Sequence, residues 1–121
     1  MAESKLRDLS MNFAVDVLKL CGGIKGHFSI TNQLERSATS IGANIHEANY
    51  AQSKADFVAK CSIALKECDE TGYWLELLKR TEYISSAQYD SIESDRKELF
   101  ALLTSIIKTS KETLKKWKME N

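Results

Sequence analysis

From Phe57 to Leu78 a single spacing governs the chain. Phe57, Cys61, Ala64, Cys68, Thr71, Leu75 and Leu78 follow one another at alternating steps of four and three residues. This is the repeat of a helix seam packed against other helices, and it is kept for three heptads. The 121-residue chain contains no proline, so it meets few obstacles to long helices. The spacing predicts a helix over 54–80, with Ser53 placed to cap it. Gly72 lies inside that helix, at a cost of up to ~1 kcal/mol relative to alanine. A close approach by a neighbouring helix is the expected reason for it.

Three more helices follow from the same period. Leu6, Leu9, Phe13, Val17 and Leu20 predict a helix over 4–22, stopped by Gly22-Gly23. Leu34, Ala38, Ile41, Ile45 and Ala48 predict a second over 31–49, with Ser29 or Thr31 as its cap. Ser85 or Ser86 caps a fourth over 87–118. Its inner face reads Ile92, Leu99, Leu103, Ile106, Leu114 and Trp117, widened by Phe100 and Ile107. Four such stripes joined by short links predict one all-α domain over 1–121, an antiparallel up-down-up-down four-helix bundle.

Composition narrows the function classes. Lys+Arg and Asp+Glu both number 17, so net charge is zero, which argues against strong binding of nucleic acid over the whole surface. No apolar run approaches the roughly 18–20 residues of a membrane helix. The opening Met1-Ala-Glu-Ser-Lys5 lacks the basic-then-apolar order of a signal peptide, so a cytoplasmic location without membrane contact is expected. Three cysteines, Cys21, Cys61 and Cys68, suit a reducing compartment better than a disulfide framework.

The third helix carries more apolar residues than one core requires. At about 100° per residue, Ile63, Tyr73, Trp74 and Leu77 fall on the side away from the seam. A helix apolar on both sides is buried on both sides. The second helix is ringed by small residues, Ser37, Ala38, Thr39, Ser40, Gly42 and Ala43, which let neighbours come close. A homo-oligomer is expected, with helices two and three facing other subunits.

The segment Gln33-Leu-Glu-Arg-Ser-Ala-Thr-Ser-Ile-Gly-Ala-Asn-Ile-His-Glu-Ala48, followed by Ser62–Glu67 and Glu70-Thr-Gly-Tyr-Trp-Leu75, resembles the signature of the bacterial "four-helix bundle protein" family. Its first members were found encoded in intervening sequences of 23S ribosomal RNA genes. The resemblance implies a ring-like homopentamer of four-helix bundles with no known enzyme activity and no cofactor. A related branch, the accessory proteins of diversity-generating retroelements, forms basic pentamers that associate with nucleic acid and a reverse transcriptase. This chain departs from that branch in its zero net charge, and from the commoner signature at His46 and Ala48.

The resemblance singles out Arg36, Asn44 and Glu47. Arg36 and Glu47 point the same way but lie about 16 Å apart along the axis, so each is expected to bond another helix or subunit, or to cap exposed backbone. Cys61 and Cys68 share a face but stand about 10 Å apart, too far to ligate one zinc. Glu-x-x-His pairs, a P-loop, a nucleophile elbow and a dinucleotide fingerprint are all missing, so neither metal, cofactor nor small-molecule substrate is expected. Helix four carries a one-sided basic stripe, Lys97, Lys108, Lys111 and Lys115, with Lys116 and Lys118 nearby. A solvated face accounts for it, as does contact with RNA, DNA or a nucleoprotein. The expectation is therefore a non-enzymatic scaffold or adaptor. The competing readings are a subunit-interface ribonuclease acting through Arg36, His46 and Glu47, and a toxin- or antitoxin-like regulator.

Overall fold

The computed structural model describes residues 2–121, which form four helices joined by short turns: α1 (Ala2–Gly22), α2 (Phe28–Asn49), α3 (Lys54–Arg80) and α4 (Ser86–Glu120). Each helix packs on the next, and α4 closes back on α1. The diagonal pairs, α1 with α3 and α2 with α4, bring no Cα atoms within 8 Å of each other among the described residues. Arg36 meets Glu70, and Glu47 meets Lys60, so α2 and α3 run antiparallel in a fixed register. This is the expected up-down-up-down bundle. No helix among the described residues is long and apolar enough to cross a membrane.

The core is the meeting of the four stripes. Phe13, Val17, Leu34, Ile41, Ile45, Leu75, Leu78, Leu99 and Leu103 are completely enclosed or nearly so. The α3 seam begins at Val58 rather than Phe57, which is only half-buried. Polar members of the seam are satisfied locally. The Thr71 hydroxyl donates to the Glu67 carbonyl at 2.7 Å and sits 2.9 Å from the Ser37 hydroxyl across the α2–α3 contact.

The caps divide between those the sequence shows and one it hides. Ser53 accepts the Asp56 amide at 3.0 Å. Ser85 and Gln88 exchange bonds as a capping box, which starts α4 at Ser86. By contrast α2 starts at Phe28, three residues before the expected start. His27 precedes it in the left-handed conformation, φ 52°, with no side-chain cap, and its ring packs on Tyr83 at 4.4 Å, tilted by 57°. Ser29 and Thr31 lie inside the first turn, where Thr31 donates back to the Phe28 carbonyl.

Gly72 admits the neighbouring helix α4, as expected, through a side chain. A Cβ there would stand 2.6 Å from Cζ of Arg96, whose guanidinium lies across the glycine. One expectation about helix interiors needs correction: Leu114 and Trp117 do not belong to the enclosed inner face of α4, because Leu114 is half-buried and Trp117 is 61% exposed. The reason is length. Arg96 donates to the Cys68 carbonyl at 3.2 Å, and counting outward from that antiparallel contact sets Ser110 level with Lys54, where α3 begins. Residues 111–120, about 15 Å of helix, therefore extend past the bundle.

Candidate functional surfaces

The signature polar residues form a ladder along the α2–α3 groove. Arg36 bonds Glu70, lies 3.4 Å from Glu67 and reaches the Gln33 side chain at 3.5 Å. About three turns further along α2, Glu47 pairs with Lys60 at 3.3 Å. Asn44 turns inward on its own helix and donates to the Ser40 carbonyl at 2.8 Å. These ion pairs are half-exposed, so each contributes under about 1 kcal/mol and sets register more than stability. They fulfil the expectation that Arg36 and Glu47 each bond another helix.

His46 lies away from Arg36. Its ring lies 5.2 Å from that of Tyr50, tilted by 53°, and lines a polar cleft of about 390 Å³ with Glu3, Ser4, Arg7 and Asn49. The ribonuclease constellation of Arg36, His46 and Glu47 is thus not assembled within one chain, because Arg36 is committed to the acidic pair on α3. Among the described residues no cluster of three or more His, Cys, Asp or Glu side chains has metal-binding geometry. The three thiols are poor nucleophiles: burial pushes each from the ordinary 9.0 up to about 11.

Apolar surface remains on two sides of the bundle. On α3, Ile63 and Tyr73 are exposed, at 44% and 63%. Trp74 and Leu77 are half-buried instead of fully outward. The Trp74 ring packs on the core and meets Tyr73 edge-on at 4.9 Å, and its Nε1 is enclosed without an acceptor among the described residues. A second stripe had no place in the sequence reading. Met11, Val15 and Leu18 on α1 are 63%, 41% and 45% exposed. Their own four-three spacing is the signal that could have found them. They face away from Phe13 and Val17 on the opposite flank of the helix. Because α1 and α3 are diagonal, the two stripes look out in opposite directions.

The basic stripe is on the surface as expected. Lys97, Lys108, Lys111 and Lys115 are all exposed, within about 60° of one another around the axis of α4. Lys116 and Lys118 continue it onto the overhang. There Trp117 and Leu114 wall a notch of about 350 Å³, completed by Ser53, Lys54, Ala55 and Thr113. A pair that sequence reading missed holds α4 to α3. Arg96 and Glu93 lie one helical turn apart, each less than 15% exposed, and Arg96 donates two bonds of 2.6 and 2.7 Å to the Glu93 carboxylate. That spacing alone looks like an ordinary surface pair; only the gap at Gly72 shows that it is buried.

Residues 2–105 match the family model described as 23S rRNA-intervening sequence protein. The chain is also similar, at 51% identity, to the crystal structure of a protein of unknown function from the S23 ribosomal protein family of Bacteroides thetaiotaomicron VPI-5482. The match covers 89% of this chain and 99% of that one, with a TM-score of 0.86. No curated protein matches the chain.

Proposed function

We propose, from the premise that the chain belongs to the 23S rRNA-intervening sequence protein family, that it serves as a non-enzymatic scaffold whose copies assemble head to tail into a ring. The observation that carries this reading is the pair of opposed apolar stripes. A two-fold dimer uses one self-complementary patch on both subunits. Here two different patches lie on opposite flanks: Met11, Val15 and Leu18 on α1, and Ile63 and Tyr73 on α3, backed by Trp74 and Leu77. Joining the α1 face of one copy to the α3 face of the next is heterologous, and it ends in a ring when the rotation closes. Five subunits is the number that the family resemblance implies.

Such an interface has a specific signature on mixing. Leu18→Glu blocks one face, and Ile63→Glu with Tyr73→Glu blocks the other. Light scattering is expected to give several times the chain mass for the parent and a monomer for each variant alone. Mixed in equal amounts, the two variants each retain one intact face and should form a one-to-one dimer. A monomeric parent, or a mixture that stays monomeric, would sink the head-to-tail arrangement.

Contact with nucleic acid through Lys97, Lys108, Lys111 and Lys115 is the second part of the reading. A ring repeats the stripe on every subunit, so weak contacts to phosphates add by multivalency even though each chain is neutral. Reversing Lys108, Lys111 and Lys115 to Glu is expected to abolish low-salt mobility shifts of RNA while leaving the oligomer intact. An unchanged shift would remove the stripe from the account.

A further inference from the structure

The overhang of α4 has a face that the lysine stripe does not use. Trp117 continues the angular line of the buried Leu99, Leu103 and Ser110, but stands beyond the end of α3 and is 61% exposed. Its ring walls the 350 Å³ notch with Ala55 and Leu114. That volume is at the small end of ligand sites, about 300–1,000 Å³. Lys54 borders the notch, and Lys116 and Lys118 flank Trp117 at about 100° to either side around the helix. Residues 111–120 carry four lysines against two glutamates, in a chain whose net charge is zero. Positive charge is thus concentrated around one concave apolar notch with an aromatic wall.

We propose that this notch is a stacking subsite for an unpaired base of single-stranded nucleic acid, with Trp117 as the platform and Lys54, Lys116 and Lys118 holding the neighbouring phosphates. The proposal rests on the nucleic-acid reading of the lysine stripe and refines it from polyanion to single strand. Exposed aromatic faces among lysines are how proteins take up single strands regardless of sequence. A duplex keeps its bases stacked inside and offers the notch nothing but phosphate. The shape also separates this partner from a bilayer, since a membrane-surface helix presents its tryptophan on a convex flank, not in the wall of a cleft.

The test uses the full chain and a fluorescein-labelled 20-nucleotide RNA, single-stranded or annealed to its complement, with anisotropy read at low salt. The parent should bind the single strand at least about tenfold more tightly than the duplex. Trp117→Ala should weaken single-strand binding about tenfold and leave duplex binding unchanged, while Trp117→Phe recovers most of the loss. Lys116→Gln with Lys118→Gln should weaken both. Trp117 is 61% exposed and is not part of the buried core, so circular dichroism should show the variants folded. Equal binding of both RNAs, or a single-strand affinity indifferent to Trp117→Ala, overturns the subsite while leaving the lysine stripe standing. If the parent binds neither RNA, stripe and subsite fall together. Trp117-dependent binding of anionic phospholipid vesicles in preference to RNA, or a change of oligomer mass in Trp117→Ala, also overturns it by naming another occupant.

Discussion

Glu93→Gln is expected to destabilise the bundle by about 3 kcal/mol, more than any surface substitution, and Gly72→Ala should be destabilising although alanine is the better helix former. Both follow from one contact. The Arg96 guanidinium lies over Gly72, held by Glu93 on its own helix and by the Cys68 carbonyl on α3. Its bond to Glu93 holds its pKa above the ordinary value against the opposing effect of burial. Removing the carboxylate strands a charge that is nearly enclosed, which typically costs about 3–5 kcal/mol. A methyl group at position 72 would stand 2.6 Å from Cζ of Arg96 and must displace a group tied down at three points. Overpacking of that kind costs about 1–3 kcal/mol, against a helix-propensity gain of at most ~1 kcal/mol. Once Glu93→Gln and Arg96→Met have removed the pair, the same Gly72→Ala change should turn stabilising by up to about 1 kcal/mol. Urea denaturation of the parent and the four variants gives the answer. A stabilising Gly72→Ala in the parent would mean that Arg96 swings away freely and does not bind α4 to α3.

What was readable in the sequence divides along this same line. Helix periods and side-chain caps are local, so α3 and the capping box of α4 could be read from neighbouring residues. The start of α2 could not, because His27 opens that helix by a left-handed turn and by packing on Tyr83, which is 56 residues away. Periodicity likewise carried the inner face of α4 on to Trp117. Whether a periodic residue is covered depends on how far its partner helix extends, and α3 begins level with Ser110. The third-helix aromatics were half legible: Tyr73 is outside as expected, but Trp74 is long enough to fold back onto the core. Arg36 and Glu47 were expected to bond elsewhere, and the antiparallel register supplied Glu70 and Lys60 as partners. The α1 stripe was missed because Leu6, Phe13 and Val17 already satisfied the expectation of one buried face.

The enclosed thiols make a second large effect, on the alkaline side. Burial raises Cys21, Cys61 and Cys68 from the ordinary 9.0 to about 11, with Glu35 adding to it at Cys21 and Glu3 at Cys61; at Cys68 the Arg96 charge pulls the other way. A folded-state pKa raised above the unfolded value means that the native state keeps its proton where the unfolded chain has lost it. The contribution of each thiol is therefore fully present below pH 9 and is lost as the pH rises through about 11. Each costs up to about 1.4 kcal/mol per pH unit in that window. Three acting together remove several kcal/mol, comparable with the whole stability of a small domain. Tyr89, raised chiefly by burial, acts in the same direction. Urea midpoints should accordingly change little between pH 7 and 9 and then drop steeply towards pH 11. Replacing all three cysteines by alanine lowers stability at pH 7 through lost packing, but it should also flatten the alkaline drop. A triple variant with an undiminished drop would assign the alkaline weakness to other groups and leave the thiols as packing alone.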